Sequence, residues 1–124
     1  MNLVDSSAWL EYFANGPNAR FFAPAVEDVD KLLVPTICLL EVFKRVLQQR
    51  DEGAALRAVA QMQQGKVVDL DRTLALSAAK ISQQTKLPLA DSVILATGRA
   101  HHATIWTQDT DFVNIPGVRY AAKK

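Results

Sequence analysis

Every stretch of this chain that can form a strand is only about four residues long, and each is separated from the next by segments of helical periodicity. Asn2-Leu3-Val4-Asp5, Lys31-Leu32-Leu33-Val34, Lys66-Val67-Val68-Asp69 and Thr104-Ile105-Trp106-Thr107 are the main candidates, with Gly117-Val118-Arg119-Tyr120 a possible fifth. Short apolar strands alternating with one or two helices predict βαβ units, hence a parallel sheet covered on both faces. The expected fold is a three-layer α/β sandwich, with ligands at the carboxyl ends of the strands.

Asp5-Ser6-Ser7 are helix-entry residues, and Trp9, Leu10 and Phe13 follow at helical spacing until Asn15-Gly16-Pro17 breaks the pattern. Phe21, Phe22 and Val26 mark a second helix. From Thr36 to about Gln49 the stripe Ile37, Leu40, Phe43/Lys44, Leu47 predicts a third, and Leu56, Val59 and Ala60 a fourth that Gly65 ends. Asp71 can cap a helix carrying Leu74, Ala78 and Ile81, and Pro88 suits the first turn of one that runs to about His101. Ala121 to Lys124 reads as a loose tail.

A length of 124 residues suits one domain spanning 1–124, and 49% hydrophobic residues against 22% charged excludes disordered and collagen-like classes. Fourteen basic against thirteen acidic residues leave a net charge of +1, so an anionic partner must be met by a local patch. The single Cys38 cannot close an intrachain disulfide and suits a reducing compartment, the cytoplasm. The longest uncharged run, Leu32 to Leu40, contains Pro35 and is far too short to span a membrane, so neither export nor anchoring is expected.

Four carboxylates stand out. Asp5 ends the first strand, Glu41 is the only charge between Ile37 and Phe43, Asp91 is the only one between Lys86 and Arg99, and Asp109 follows the fourth strand. Each has an ordinary explanation: Asp5 as a helix cap, Glu41 as an i,i+4 partner of Arg45, Asp91 as a first-turn acid favoured by the helix dipole, and Asp109 as an Asx-turn. Asp69 and Asp71 repeat the Asp-x-Asp pattern of Asp109 and Asp111, and spacing does not rank the two pairs. A doubly wound sheet, however, brings strand ends and helix starts to one edge. Several converging carboxylates cannot all stay charged without cations, and oxygen ligands without His or Cys select Mg²⁺ or Mn²⁺. Such sites suit phosphodiester hydrolysis.

At these residues the chain resembles PIN-domain ribonucleases, and within them the VapC-type toxins of toxin–antitoxin pairs. The resemblance rests on Asp5 after the first strand, Pro35-Thr36 with Glu41, Leu89-Ala90-Asp91, and Thr107-x-Asp109-x-Asp111-Phe112, in that order over the whole chain. It implies a PIN-like fold, metal-binding catalytic acids at Asp5, Glu41, Asp91 and Asp109, and Asp111 second to Asp109. It also implies a hydroxyl from Ser6 or Thr107 assisting, an RNA substrate, homodimers, and a small antitoxin whose tail offers a basic side chain to the acidic pocket. The resemblance, and not the spacing, selects 109/111 over 69/71.

Lys44 and Arg45 could hold RNA phosphates beside the metals, or form an ordinary solvated face. Trp9, Tyr12, Phe13, Phe21 and Phe22 suit either the core or a groove for the antitoxin. His101 and His102 end a helix, at the far end from Asp91, and read as surface. Two competing functions are a catalytically inactive PIN-like binding module and a phosphoacceptor receiver domain. The latter needs adjacent acids after the first strand, where this chain has Asp5-Ser6-Ser7, and a Lys ending the last main strand.

Overall fold

A computed structural model describes residues 1–124. One parallel sheet contains β1 (Asn2–Val4), β2 (Leu32–Pro35), β3 (Lys66–Val68), β4 (Thr104–Thr107) and β5 (Val118–Tyr120), in the order β3-β2-β1-β4-β5. Leu3 pairs with Leu33 on one side and Ile105 on the other, so β1 is the central strand. The chain fills one arm of the sheet first, then crosses back past β1 to add β4 and β5. The junction of β1 and β4 is therefore the switch point at which α/β sheets bind ligands.

Six helices cover the sheet: α1 (Ser6–Phe13), α2 (Ala19–Glu27), α3 (Thr36–Gln49), α4 (Glu52–Met62), α5 (Arg72–Thr85) and α6 (Leu89–Ala100). Consecutive strand residues point to opposite faces. Ile105 lies against Gly98 of α6, while the Trp106 ring stands 5.5 Å from that of Phe21 on α2, so α2 and α6 cover opposite faces. Leu3, Val4, Leu32, Leu33, Val34, Trp9, Phe22, Ile94, Leu95 and Phe112 are fully or almost fully buried between the layers. Aspartates set three helix starts: the side chains of Asp5, Asp51 and Asp71 accept the backbone N–H of Ala8, Ala54 and Leu74 at 2.9, 2.7 and 2.9 Å.

The structure corrects several expectations. Lys31 belongs to a short 3₁₀ turn (Val29–Lys31), and Pro35 ends β2 instead of opening the next helix, because its fixed φ of −62° suits the extended cap position. Pro88 likewise is the cap of α6 and not part of its first turn. The tail is not loose: Ala121 N–H donates to the Thr107 carbonyl at 3.0 Å, and the Ala122 carbonyl accepts from Asn18 at 2.9 Å. Trp9 and Phe22 are completely buried, which removes them from any partner groove; Tyr12, Phe13 and Phe21 are half-buried.

Candidate active site

The carboxyl ends of β1 and β4 open into a cavity of about 280 Å³, lined by Asp5, Glu41, Asp91 and Asp109 together with Ser6 and Arg45. Four elements supply the acids. Asp5 leaves the central strand, Glu41 stands on the second turn of α3, Asp91 on the first turn of α6, and Asp109 on the loop after β4.

Asp5 is both a cap and a wall of the cavity. It is 2% exposed, and its Oδ1 accepts the Ser7 hydroxyl at 2.7 Å as well as the Ala8 N–H, while Oδ2 accepts the Thr107 hydroxyl. Burial pushes its carboxyl up to about 6, against those three hydrogen bonds and with the help of the Asp109 charge. Thr107 Oγ1 also accepts the Asp109 N–H at 2.9 Å, so one hydroxyl ties the acid of β1 to the loop of β4. Glu41 accepts the Ser6 hydroxyl at 2.7 Å.

Asp91 is half-buried, and its carboxyl is raised to about 7, first by desolvation, then by the charge of Asp109 and by Asp111. Carboxylate oxygens of Asp91, Asp109 and Asp111 lie within 4.8 Å of one another. The acids thus form two overlapping groups sharing Asp91 and Asp109: one with Asp5 and Glu41 around the cavity, the other with the exposed Asp111 at its rim. Like charges this close favour protonation or a cation.

The second Asp-x-Asp pair lies elsewhere. Asp69 and Asp71 follow β3, which is separated from β1 by β2, and both are exposed; Asp71 caps α5. His101 is the C-cap of α6, ten residues beyond Asp91 or about 15 Å along the helix. Lys44 and Arg45 are exposed on α3, and Arg45 reaches the cavity.

Three residues at the site were missed in the sequence: Ser7, Asn18 and Gln108. Asn18 is 3% exposed and donates its amide hydrogens to Gln108 Oε1 at 3.0 Å and to the Ala122 carbonyl. Gln108 N–H in turn points to Ser7 Oγ at 3.3 Å. The network clamps the loop that presents Asp109. Asn18→Ala strands a buried amide oxygen and a carbonyl, and should cost about 1–3 kcal/mol in denaturant unfolding. Asn18→Asp, unable to donate to either acceptor, should cost no less.

A doubly wound sheet with four carboxylates around a cavity at its switch point defines an α/β protein with an acidic site at the sheet edge where such folds bind ligands. The PIN-domain profile matches residues 3–118, and the chain belongs to the PIN-domain family. No curated protein sequence matches it. Among solved structures it is similar to a toxin–antitoxin complex from Klebsiella pneumoniae, with 22% identity, all of both chains covered and a TM-score of 0.84. VapC20 of Mycobacterium tuberculosis, described as a sarcin-ricin loop cleaving toxin, is 16% identical over 90% of this chain and 92% of its own, with a TM-score of 0.76. FitAcB of Neisseria gonorrhoeae is 25% identical over 97% and 96%, with a TM-score of 0.65. The chain shares the fold of the VapC-type toxins.

Proposed function

We propose that this protein is a Mg²⁺- or Mn²⁺-dependent endoribonuclease that acts in the cytoplasm as the toxin of a type II toxin–antitoxin pair. The observation that carries the reading is the meeting of Asp5, Glu41, Asp91 and Asp109 around one cavity at the switch point. The donor set is oxygen only, and the carboxyls of Asp5 and Asp91 are raised first by burial and then by neighbouring acids. Those features fit a hard divalent cation.

In this reading Asp91 and Asp109 hold the ion, with Asp5 and Glu41 completing the cavity and Asp111 supporting from the rim. A bound ion would supply a water of lowered pKa and neutralise phosphate charge. The chain's own groups do the positioning. Thr107 and Ser7 fix the direction of the Asp5 carboxylate, Ser6 turns Glu41 toward the cavity, and the Asn18–Gln108 clamp holds the Asp109 loop. Lys44 and Arg45 hold RNA phosphates beside the cut.

The antitoxin's seat would be the groove of about 260 Å³ among Leu10, Phe13, Val46, Ala54 and Ala58. It shares Leu10 with the acidic cavity, so a segment lying there can extend a basic side chain to the acids. Exposed Leu47, Leu56, Leu76 and Leu89 favour a homodimer, checked by sedimentation at micromolar concentration. No helix is long and apolar enough to cross a membrane.

Expression without the antitoxin should arrest growth, and Asp91→Asn should relieve the arrest at equal protein level. Harmless overproduction of the wild type in a host lacking the antitoxin gene contradicts the toxin reading. Arrest that persists in Asp91→Asn favours a binding module that acts without catalysis.

A further inference from the structure

We propose that a second cleft, between α3 and the start of α6, seats a nucleobase of single-stranded RNA, with Gln48 reading its edge and Lys44 holding a neighbouring phosphate. The proposal rests on the ribonuclease reading above and assigns the substrate's path across the protein.

The cleft has a volume of about 520 Å³ and adjoins the acidic cavity, since Glu41 and Arg45 line both. Its apolar surface comes from Ile37, Leu40 and Ala90, and its polar groups are Lys44, Arg45 and Gln48. On α3 the positions 37, 40/41, 44/45 and 48 recur every three or four residues, so they form one stripe leading away from the acids. Glu41 and Gln48 are separated by seven residues, a rise of about 10 Å. An RNA strand whose scissile phosphate lies at the acids therefore has its next nucleotide over Lys44 and Gln48.

The chemistry of the stripe matches a nucleotide in each part. Leu40 is 59% exposed and offers an apolar surface that the face of a base can cover. The Gln48 amide carries both donors and an acceptor, enough to pair with a base edge. Lys44 and Arg45 are exposed cations on the wall of a cavity that would otherwise repel a polyanion. Charge complementarity thus favours RNA along this stripe, and the need for an unstacked base with a free pairing edge favours a single strand: in a duplex that edge is already paired and the base faces are stacked.

Two measurements test the path. In the first, fluorescence anisotropy follows random-sequence single-stranded RNA hexamers binding to full-length Asp91→Asn protein, with and without further changes. Lys44→Ala should weaken binding about 5- to 20-fold and reduce the slope of log K against log salt by about one, while a duplex of equal length binds more weakly than the single strand. In the second, the ends produced by the catalytically intact chain with MnCl₂ on random RNA are sequenced. Gln48→Ala should flatten the base preference at one position beside the cut, and Gln48→Glu should redirect it. Lys44 and Gln48 are exposed, so these variants fold.

Unchanged affinity, salt slope and cut-site profile in these variants, with cleavage still abolished by Asp91→Asn, overturns the cleft and leaves the ribonuclease reading standing. Binding that depends on Lys44 by a protein that cuts no RNA has the reverse meaning. Substitutions that change the sedimentation of the protein and leave RNA affinity alone assign the face to a contact between copies, and overturn the proposal.

Discussion

Asp91→Asn should cleave RNA at least ~10³-fold more slowly than the wild type in single-turnover assays, since losing a metal-holding carboxylate removes several kcal/mol of transition-state stabilisation. Asp109→Asn should lose a comparable amount. Both acids belong to both carboxylate groups of the site, the cavity set with Asp5 and Glu41 and the rim set with Asp111. Asp5→Asn and Glu41→Gln should also be impaired, with Asp5→Asn additionally disturbing the start of α1, because an amide offers the Ser7 hydroxyl, the Ala8 N–H and the Thr107 hydroxyl only one acceptor oxygen. Asp69→Asn should cleave within about two-fold of the wild type, as an exposed substitution far from the site. Asp71→Asn should be equally active, since Asn is as good a helix cap as Asp. Loss of cleavage in Asp69→Asn with full activity in Asp109→Asn would place the site at β3 and contradict the assignment.

The second large effect links metal, pH and stability. Without metal, the carboxyls of Asp5 and Asp91 titrate near 6 and 7 in the folded protein, above the ordinary aspartate value of 3.8 that the unfolded chain approaches. The folded state therefore binds more protons than the unfolded state between about pH 4 and 7, and these two groups make stability fall as pH rises through that window. Mn²⁺ binds the ionised carboxylates, so saturating Mn²⁺ should raise Tm strongly at pH 7.5 and little at pH 5, where protons occupy the site. Asp91→Asn should reverse the pattern: more thermostable than the metal-free wild type at pH 7.5, with no advantage at pH 5, and stabilised little by Mn²⁺. The relief of desolvation and of three neighbouring acids outweighs the lost favourable charge at the start of α6. A wild-type Tm that Mn²⁺ shifts equally at both pH values contradicts the linkage.

The sheet was readable because strands buried on both faces must be apolar along their whole length, as Leu32, Leu33 and Val34 are. Strand ends were less readable. Lys31 looks like a strand residue beside those apolar neighbours, and its place in a 3₁₀ turn depends on how the chain leaves α2. Glu41 and Asp91 were legible as isolated charges in apolar surroundings, and Asp5 as an acid ending the first strand. Spacing did not choose between Asp109 and Asp69, because both follow strands in the same pattern; the family resemblance pointed to Asp109, and the sheet order, with β4 beside β1 and β3 two strands away, supplies the physical reason. Asn18 was invisible for a related reason. Next to Gly16 and Pro17 it reads as a turn residue, and its burial arises from Gln108 and the chain's last residues, about ninety to a hundred positions later, closing over it.

The most direct test of the central claim is the digestion of single-stranded RNA by the purified protein with MnCl₂ or with EDTA, alongside Asp91→Asn, followed by analysis of the new ends. Metal-assisted attack by water predicts cleavage that requires Mn²⁺ or Mg²⁺, is lost in EDTA and in Asp91→Asn, and leaves no 2′,3′-cyclic phosphate. Cleavage that survives EDTA, or that ends in cyclic phosphates, would contradict a reaction run by the carboxylates at the junction of β1 and β4.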